Sequence, residues 1–174
     1  MALILCGTSQ AFGQWQLNGK DIGNESWRRS VNGFGAVLLL TNKPDDFFKE
    51  WSNPNADYQP RINVTVSANR LETITAVILF QRCKVDLKGD CDTEVDFRVL
   101  RPDGSVYAEY KGAKLLRGKQ SSSVDGMQLG LEQLGFKIEA DDPLGDYRIE
   151  AIVRDKLSAT EVPLVQILTV KPTE

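Results

Sequence analysis

Residues 139–170 read EADDPLGDYRIEAIVRDKLSATEVPLVQILTV, and they decide the fold. The pattern is a turn, a strand, a polar loop and a second strand. Tyr147, Ile149, Ala151 and Val153 alternate with Arg148, Glu150 and Arg154, the period of two expected of a half-buried strand. Asp142-Pro143-Leu144-Gly145 is turn chemistry: Pro143 presets φ, Gly145 can take a positive φ, and Asp142 can bond its own backbone two residues on. A tyrosine two residues past that glycine, at the start of a strand, stands where a β-sandwich places its tyrosine corner. There the ring enters the core and the hydroxyl reaches a backbone group a few residues upstream. The segment therefore predicts the closing hairpin of an antiparallel sandwich, with Tyr147 as the corner.

The whole chain has 174 residues, enough for one domain with a substantial core. A formal net charge of −3 argues against a nucleic-acid binder, which needs a basic face. The sequence contains no histidine. That removes Ser-His-Asp and Cys-His nucleophilic sites and every His-ligated metal site. No Walker loop, dinucleotide fingerprint or Cys-x-x-Cys is present, and no apolar run reaches membrane-spanning length. The sequence thus predicts no cofactor, no metal site and no transmembrane segment.

Residues 1–13 are expected to be the back half of a secretory signal. Ala2 to Cys6 is apolar, and Ser9-Gln10-Ala11 and Ala11-Phe12-Gly13 both offer small residues at −3 and −1 of a cleavage site. The basic stretch of a full signal is missing, so the expectation is a truncated one and a periplasmic or secreted mature protein; a cytosolic protein with an apolar N-terminus is the other reading. Cys83 and Cys91 then remain as an even pair around a short polar loop. A Cys83–Cys91 bridge would close a ring worth about 2.5 kcal/mol of chain entropy; two free thiols are the other reading.

Residues 14–33, rich in Asn, Gly and Ser, show neither helical nor strand period and read as an irregular arm, followed by a sandwich over 34–174. Trp15 and Trp27 either pin that arm or form an exposed aromatic platform. Phe34 to Leu40 reads as the first strand, and Pro44-Asp45-Asp46-Phe47-Phe48-Lys49-Glu50-Trp51 as a short helix capping one end of the sandwich. Ile62, Val64 and Val66 alternate as a one-face strand. Thr73 to Phe80 is apolar on both parities and should be central. Val95, Phe97 and Val99 alternate with Asp92, Glu94, Asp96 and Arg98, and Arg101-Pro102-Asp103-Gly104 turns into a returning strand at Val106, Ala108 and Tyr110. Residues 112–126 read as a long polar connection. Met127 to Leu134 fits a short strand or one helical turn, and Phe136, Ile138 and Ala140 form the next strand. The total is about seven to nine strands.

Several acidic groups invite a catalytic reading. Asp92, Glu94 and Asp96 are the polar half of an alternating strand, which a solvated surface explains. Asp86, Gly89, Asp90 and Asp92 miss the EF-hand spacing and its terminal glutamate. No spacing nominates two carboxylates facing across a cleft.

Phe80-Gln81-Arg82-Cys83, Gly89-Asp90-Cys91, Arg101-Pro102-Asp103-Gly104, Asp142-Pro143-Leu144-Gly145-Asp146-Tyr147 and Val153-Arg154-Asp155 carry a resemblance, completed by residues 164–170. Over residues 34–170 the chain resembles the immunoglobulin-like β-sandwiches of exported bacterial proteins, of the macroglobulin or fibronectin-III kind. The resemblance implies an Ig-like fold and a non-enzymatic interaction or scaffold module acting on another cell-envelope protein, by fold-level analogy. A glycan-binding domain using Trp15, Trp27, Trp51 or Tyr58 is the alternative, and a carboxylate-dependent hydrolase a weaker one. In the closing hairpin Leu164, Leu168 and Val170 share one parity. If they face the core, Ile152, Val165 and Ile167 face away and form an apolar patch, either an interface or a seat for the arm. Gln166 would then point inward and need partners for its amide.

Overall fold

The computed structural model describes residues 15–17, 20–52, 62–119 and 126–172; the expected signal at 1–13 and Tyr58 lie outside them. Two antiparallel-dominated sheets face each other. One contains β3 (Arg28–Val31), β4 (Phe34–Thr41), β6 (Thr73–Gln81), β9 (Gln128–Leu129) and β10 (Leu134–Lys137), in the order β10-β6-β4-β3 with β9 also on β6. The other runs β5-β12-β11-β7-β8, where β5 is Ser67–Asn69, β7 Asp90–Leu100, β8 Val106–Lys119, β11 Gly145–Asp155 and β12 Thr160–Lys171. A separate hairpin joins β1 (Trp15–Leu17) to β2 (Lys20–Ile22), and α1 spans Pro44–Trp51. The chain is an all-β, immunoglobulin-like sandwich with a single short helix among its described residues.

The closing hairpin sets the register of the second sheet. Tyr147 stands opposite Leu168, Ala151 opposite Leu164 and Val153 opposite Val162, so the inward residues of β11 and β12 share one face. They bury with Val95, Phe97 and Val99 of β7 against Ala36, Leu38, Ile74, Ala76, Ile78 and Phe80 of the first sheet. The Tyr147 hydroxyl donates to the Pro143 carbonyl at 3.0 Å, closing the tyrosine corner.

The first sheet differs from the second in being apolar on both faces. Val37 and Leu39 of β4, with Val77 and Leu79 of β6, point away from the core and are covered by Trp15, Phe47, Phe48 and Trp51. The helix therefore lies on the outer face of the sheet and does not cap an end as expected; Phe47 is its buried anchor. This second apolar layer explains why Thr73–Gln81 reads as a strand covered on both sides.

Four local expectations are corrected. The arm is not irregular: Trp15–Leu17 pairs with Lys20–Ile22, and Arg28–Val31 pairs with Val37–Phe34. The sandwich thus begins before residue 34. Its signal is Asn32-Gly33, whose φ values of 50° and 87° make the mirror-image turn that suits a two-residue hairpin. Residues 113–119 belong to β8, because Ala113 and Leu115 bury inward on either side of exposed Lys114. Val64 and Val66 are 55% and 59% exposed. Pairing there begins only at Ser67, in a short parallel ladder with Thr169–Lys171. The region 127–137 resolves into two short strands, β9 and β10, with Ala140 exposed beyond them. The two sheets thereby hold ten strands among the described residues, above the expected seven to nine.

Candidate functional site

The outer face of the second sheet is a lattice of alternating charge. Across β7, β11 and β12, Arg98 bonds Glu150 at 2.6 Å, and Glu150 also accepts from Arg148 at 2.7 Å. Arg154 pairs with Asp96 at 2.8 Å and with Glu161 at 2.7 Å. Lys156 meets Glu94 at 3.3 Å, and Arg117 meets Asp92 at 3.7 Å. Asp92, Glu94 and Asp96 thus each have a cationic partner. Burial tends to raise Asp96, but the Gly112 N–H and the Arg154 guanidinium outweigh it and hold the carboxyl below its ordinary value. Glu150 is likewise held low, its burial offset by Arg148 and Arg98. Such shifts mark carboxylates fixed as anions in ion pairs, a poor basis for proton transfer at neutral pH.

Into this lattice β11 and β12 set the apolar residues Ile152, Val165 and Ile167. Ile152 and Ile167 are 37% and 42% exposed, and Val165 is half-buried. Ile152 sits opposite Pro163, which is also exposed. Pro163, Val165 and Ile167 are alternate residues of one strand, so the strip runs about 13 Å along β12. The described residues of the arm lie elsewhere: the Ser26 carbonyl meets the Val165 N–H at 2.7 Å along the strand edge, and Trp15 packs on the other sheet. Sequence reasoning missed Pro163, whose parity with Val165 was the available signal.

The aromatic candidates are engaged within the fold. Trp15 is buried, with the Arg28 guanidinium 5.9 Å from its ring centre. Trp27 is half-buried beneath the same guanidinium at 4.9 Å, and its indole N–H donates to Glu25 at 2.9 Å. Trp51 stacks on Phe47 with 6.4 Å between ring centres and 6° between planes. The three rings are therefore spread over one packed layer and do not form an exposed platform.

Cys83 and Cys91 are joined, with 6.1 Å between their Cα atoms. The enclosed loop is organised by Asp86, whose carboxylate accepts from the Lys88 N–H at 2.7 Å and the Asp90 N–H at 3.0 Å. These bonds hold the Asp86 carboxyl low. Buried Asp155 ties the loop to the neighbouring turn, accepting from the Lys84 N–H at 2.8 Å and from the Ser158 hydroxyl at 2.6 Å. Among the described residues no cluster of three acidic or thiol side chains stands ready for a metal ion.

The Tyr147 corner includes a partner the sequence pattern did not reveal. The Tyr107 hydroxyl reaches both the Lys137 carbonyl and the Asp142 carboxylate, and its ring meets Tyr147 edge-on with centres 5.7 Å apart. Burial and the Asp142 carboxylate push the Tyr107 hydroxyl well above its ordinary value. Arg70 donates to the Asp142 carbonyl at 2.6 and 2.9 Å, fixing the turn from outside. The cluster is a structural joint between the two sheets.

No protein-family model matches the sequence, and no curated protein matches it significantly. Solved structures align to parts of it. A Niemann-Pick type C2 protein from the Japanese carpenter ant aligns over 77% of this chain and 89% of its own, with 11% identity and a TM-score of 0.39. A CARDB domain from Pyrococcus furiosus, in complex with di-metal ions, covers 63% of this chain and 86% of its own at 14% identity and a TM-score of 0.37. The C-terminal domain of wzt covers 86% and 80% at 13% identity and 0.42. Likeness at this level assigns neither family nor function. Among the described residues no helix is long and apolar enough to cross a membrane.

Proposed function

We propose that the chain is a non-enzymatic interaction module working outside the cytoplasm, with another protein of a bacterial cell envelope as its partner. The observation that carries this reading is the Ile152–Pro163–Val165–Ile167 strip. Around it Arg148, Glu150 and Arg154 of β11 each have a counter-ion, whereas Ile152, Pro163 and Ile167 are exposed among the described residues. An apolar centre inside a polar rim is the anatomy of a protein interface. The Cys83–Cys91 bridge supports the compartment, since such bonds persist in oxidising surroundings.

A photo-reactive residue placed at Ile167 tests the reading in the native host. The expected result is one dominant protein adduct. It should be absent when the probe stands at exposed Asp45 on α1, and lost when Ile152→Lys is added. Equal adducts from both positions, or none at Ile167, would overturn the proposal.

A further inference from the structure

Two crossings tie the sheets together along one side of the sandwich. In the first, the Trp27 carbonyl accepts from the Leu38 N–H at 2.8 Å on β4, and the Ser26 carbonyl accepts from the Val165 N–H at 2.7 Å on β12. In the second, the Thr65 N–H donates to the Leu40 carbonyl at 2.8 Å, and the Val66 carbonyl accepts from the Thr169 N–H at 2.9 Å. Between these two straps no backbone among the described residues seals the edge of β12 at Ile167. The gap opens into a cleft of about 300 Å³ lined by Trp27, Leu39, Leu40, Val64, Thr65, Val66 and Gln166.

Gln166 is the anomaly in this cleft. Its position opposite Ile149 gives it the inward parity of β12, yet it is only half-buried. Its amide has no hydrogen-bond partner among the described residues. Thr65 is the other polar wall, its hydroxyl committed to the Ser67 carbonyl at 2.6 Å and the Ser67 N–H at 3.1 Å; the remaining walls are apolar, and no charged side chain lines the space. The half-buried amide still meets water, so a ligand group that bonds it would take the place of that water. A concave apolar space with one convergent polar group is the usual composition of a small-molecule site. The dent bounded by Asp96, Arg98, Glu109, Lys111, Glu150 and Ile152 is instead walled mainly by paired ions.

We propose that this cleft binds a small, uncharged, mainly apolar molecule carrying one hydrogen-bonding group, which meets the Gln166 amide. Charge is excluded by the cost of desolvating an ion against walls that offer no counter-ion. Size is limited because about 300 Å³ is the lower end of the range for ligand cavities. A fused ring pair or a short chain fits that volume. The site is separate from the Ile152–Ile167 strip, which lies on the opposite face of the same strand, so either stands if the other fails.

The test uses the full chain with its disulfide intact and N-phenyl-1-naphthylamine, an uncharged apolar dye with one N–H. The expected result is a saturable rise in dye emission at one site per chain, with quenching of tryptophan. Val66→Trp puts bulk at an exposed position in the mouth and should weaken binding at least about tenfold with the unfolding temperature unchanged. Competition by 2-naphthol and naphthalene reads the amide directly. The native chain should favour the hydroxyl compound by about tenfold, and Gln166→Leu should bring the two within about twofold. Dye emission that does not saturate, binding unmoved by Val66→Trp, or a hydroxyl preference that survives Gln166→Leu would each overturn the proposal.

Discussion

The two sheets turn opposite kinds of face outward. The first carries Val37, Leu39, Val77 and Leu79 beneath a helix and an arm, and so owns a second small core. The second carries Arg98, Glu150, Arg154, Asp96 and Glu161 in open water, and owns none. One face is therefore held by burial and the other by mutual neutralisation. Apolar burial is worth about 25 cal/mol per Å², whereas exposed ion pairs contribute about 1 kcal/mol or less each. The covered face should dominate stability, and the open face should tolerate change and remain free for contact.

Phe47→Ala attacks the covered face at its centre and should give the largest effect. The ring is fully buried, edge-on to Phe48 at 5.6 Å and stacked on Trp51. Its loss should cost about 3–5 kcal/mol in urea unfolding, against about 0.5 kcal/mol or less for Ile167→Ala on the open face. Similar costs for the two variants would dissolve the contrast. The Cys83–Cys91 bridge comes next, because it follows β6 of the first sheet and closes onto β7 of the second. Reduction should remove about 2.5 kcal/mol, read as a lower unfolding midpoint with the circular dichroism of the native state unchanged.

A third effect separates the inner joint from both outer faces. Tyr107 and Tyr147 are both raised above the ordinary tyrosine value, chiefly by burial and then by the Asp142 carboxylate. A group raised in the folded state contributes stability that is complete below its unfolded value, near pH 10. That contribution is lost as pH rises toward the folded value. Stability should therefore fall above about pH 10, and Tyr107→Phe should flatten that fall. At neutral pH, Tyr147→Phe should cost about 1–2 kcal/mol for the lost bond to the Pro143 carbonyl.

The same contrast explains what the sequence made legible. Residues 90–100 and 145–155 alternate cleanly because one side of each strand is core and the other is ionic lattice. Their inward face and corner tyrosine could both be read. In Phe34–Thr41 the second apolar layer erases the alternation, so the strand and the helix at Pro44–Trp51 were readable but not that the helix packs on the outer face of the strand. Arg28–Val31 hid because one of its faces carries charge at a sheet edge, although Asn32-Gly33 announced its turn. Val64 and Val66 misled because alternation states a parity without saying whether a second sheet lies beneath it. The strip at Ile152, Val165 and Ile167 was legible from parity alone. The cleft at Gln166 was not, since it depends on two crossings from distant parts of the chain.

The smallest effect tests the open face most directly. Asp96 and Glu150 are held below their ordinary values, each with burial opposing and hydrogen bonds from Arg154 or from Arg148 and Arg98 prevailing. A carboxylate lowered in the folded state contributes stability that is present above its unfolded value, near pH 4, and is lost as pH falls through the folded one. The lattice should thus weaken only below about pH 4, and stability should be flat from there to neutrality. In a double-mutant cycle, Asp96→Asn and Arg154→Gln should couple by about 0.2–1 kcal/mol, diminished by salt because both side chains remain partly in water. A coupling of about 3 kcal/mol, insensitive to salt, would mean that this pair behaves as a buried one. The face would then be a second rigid layer, matched to the helix-covered one, and its ions would help hold the sandwich together. With the smaller, screened value, the ions keep the face hydrated and neutral, and recognition is left to Ile152, Pro163, Val165 and Ile167.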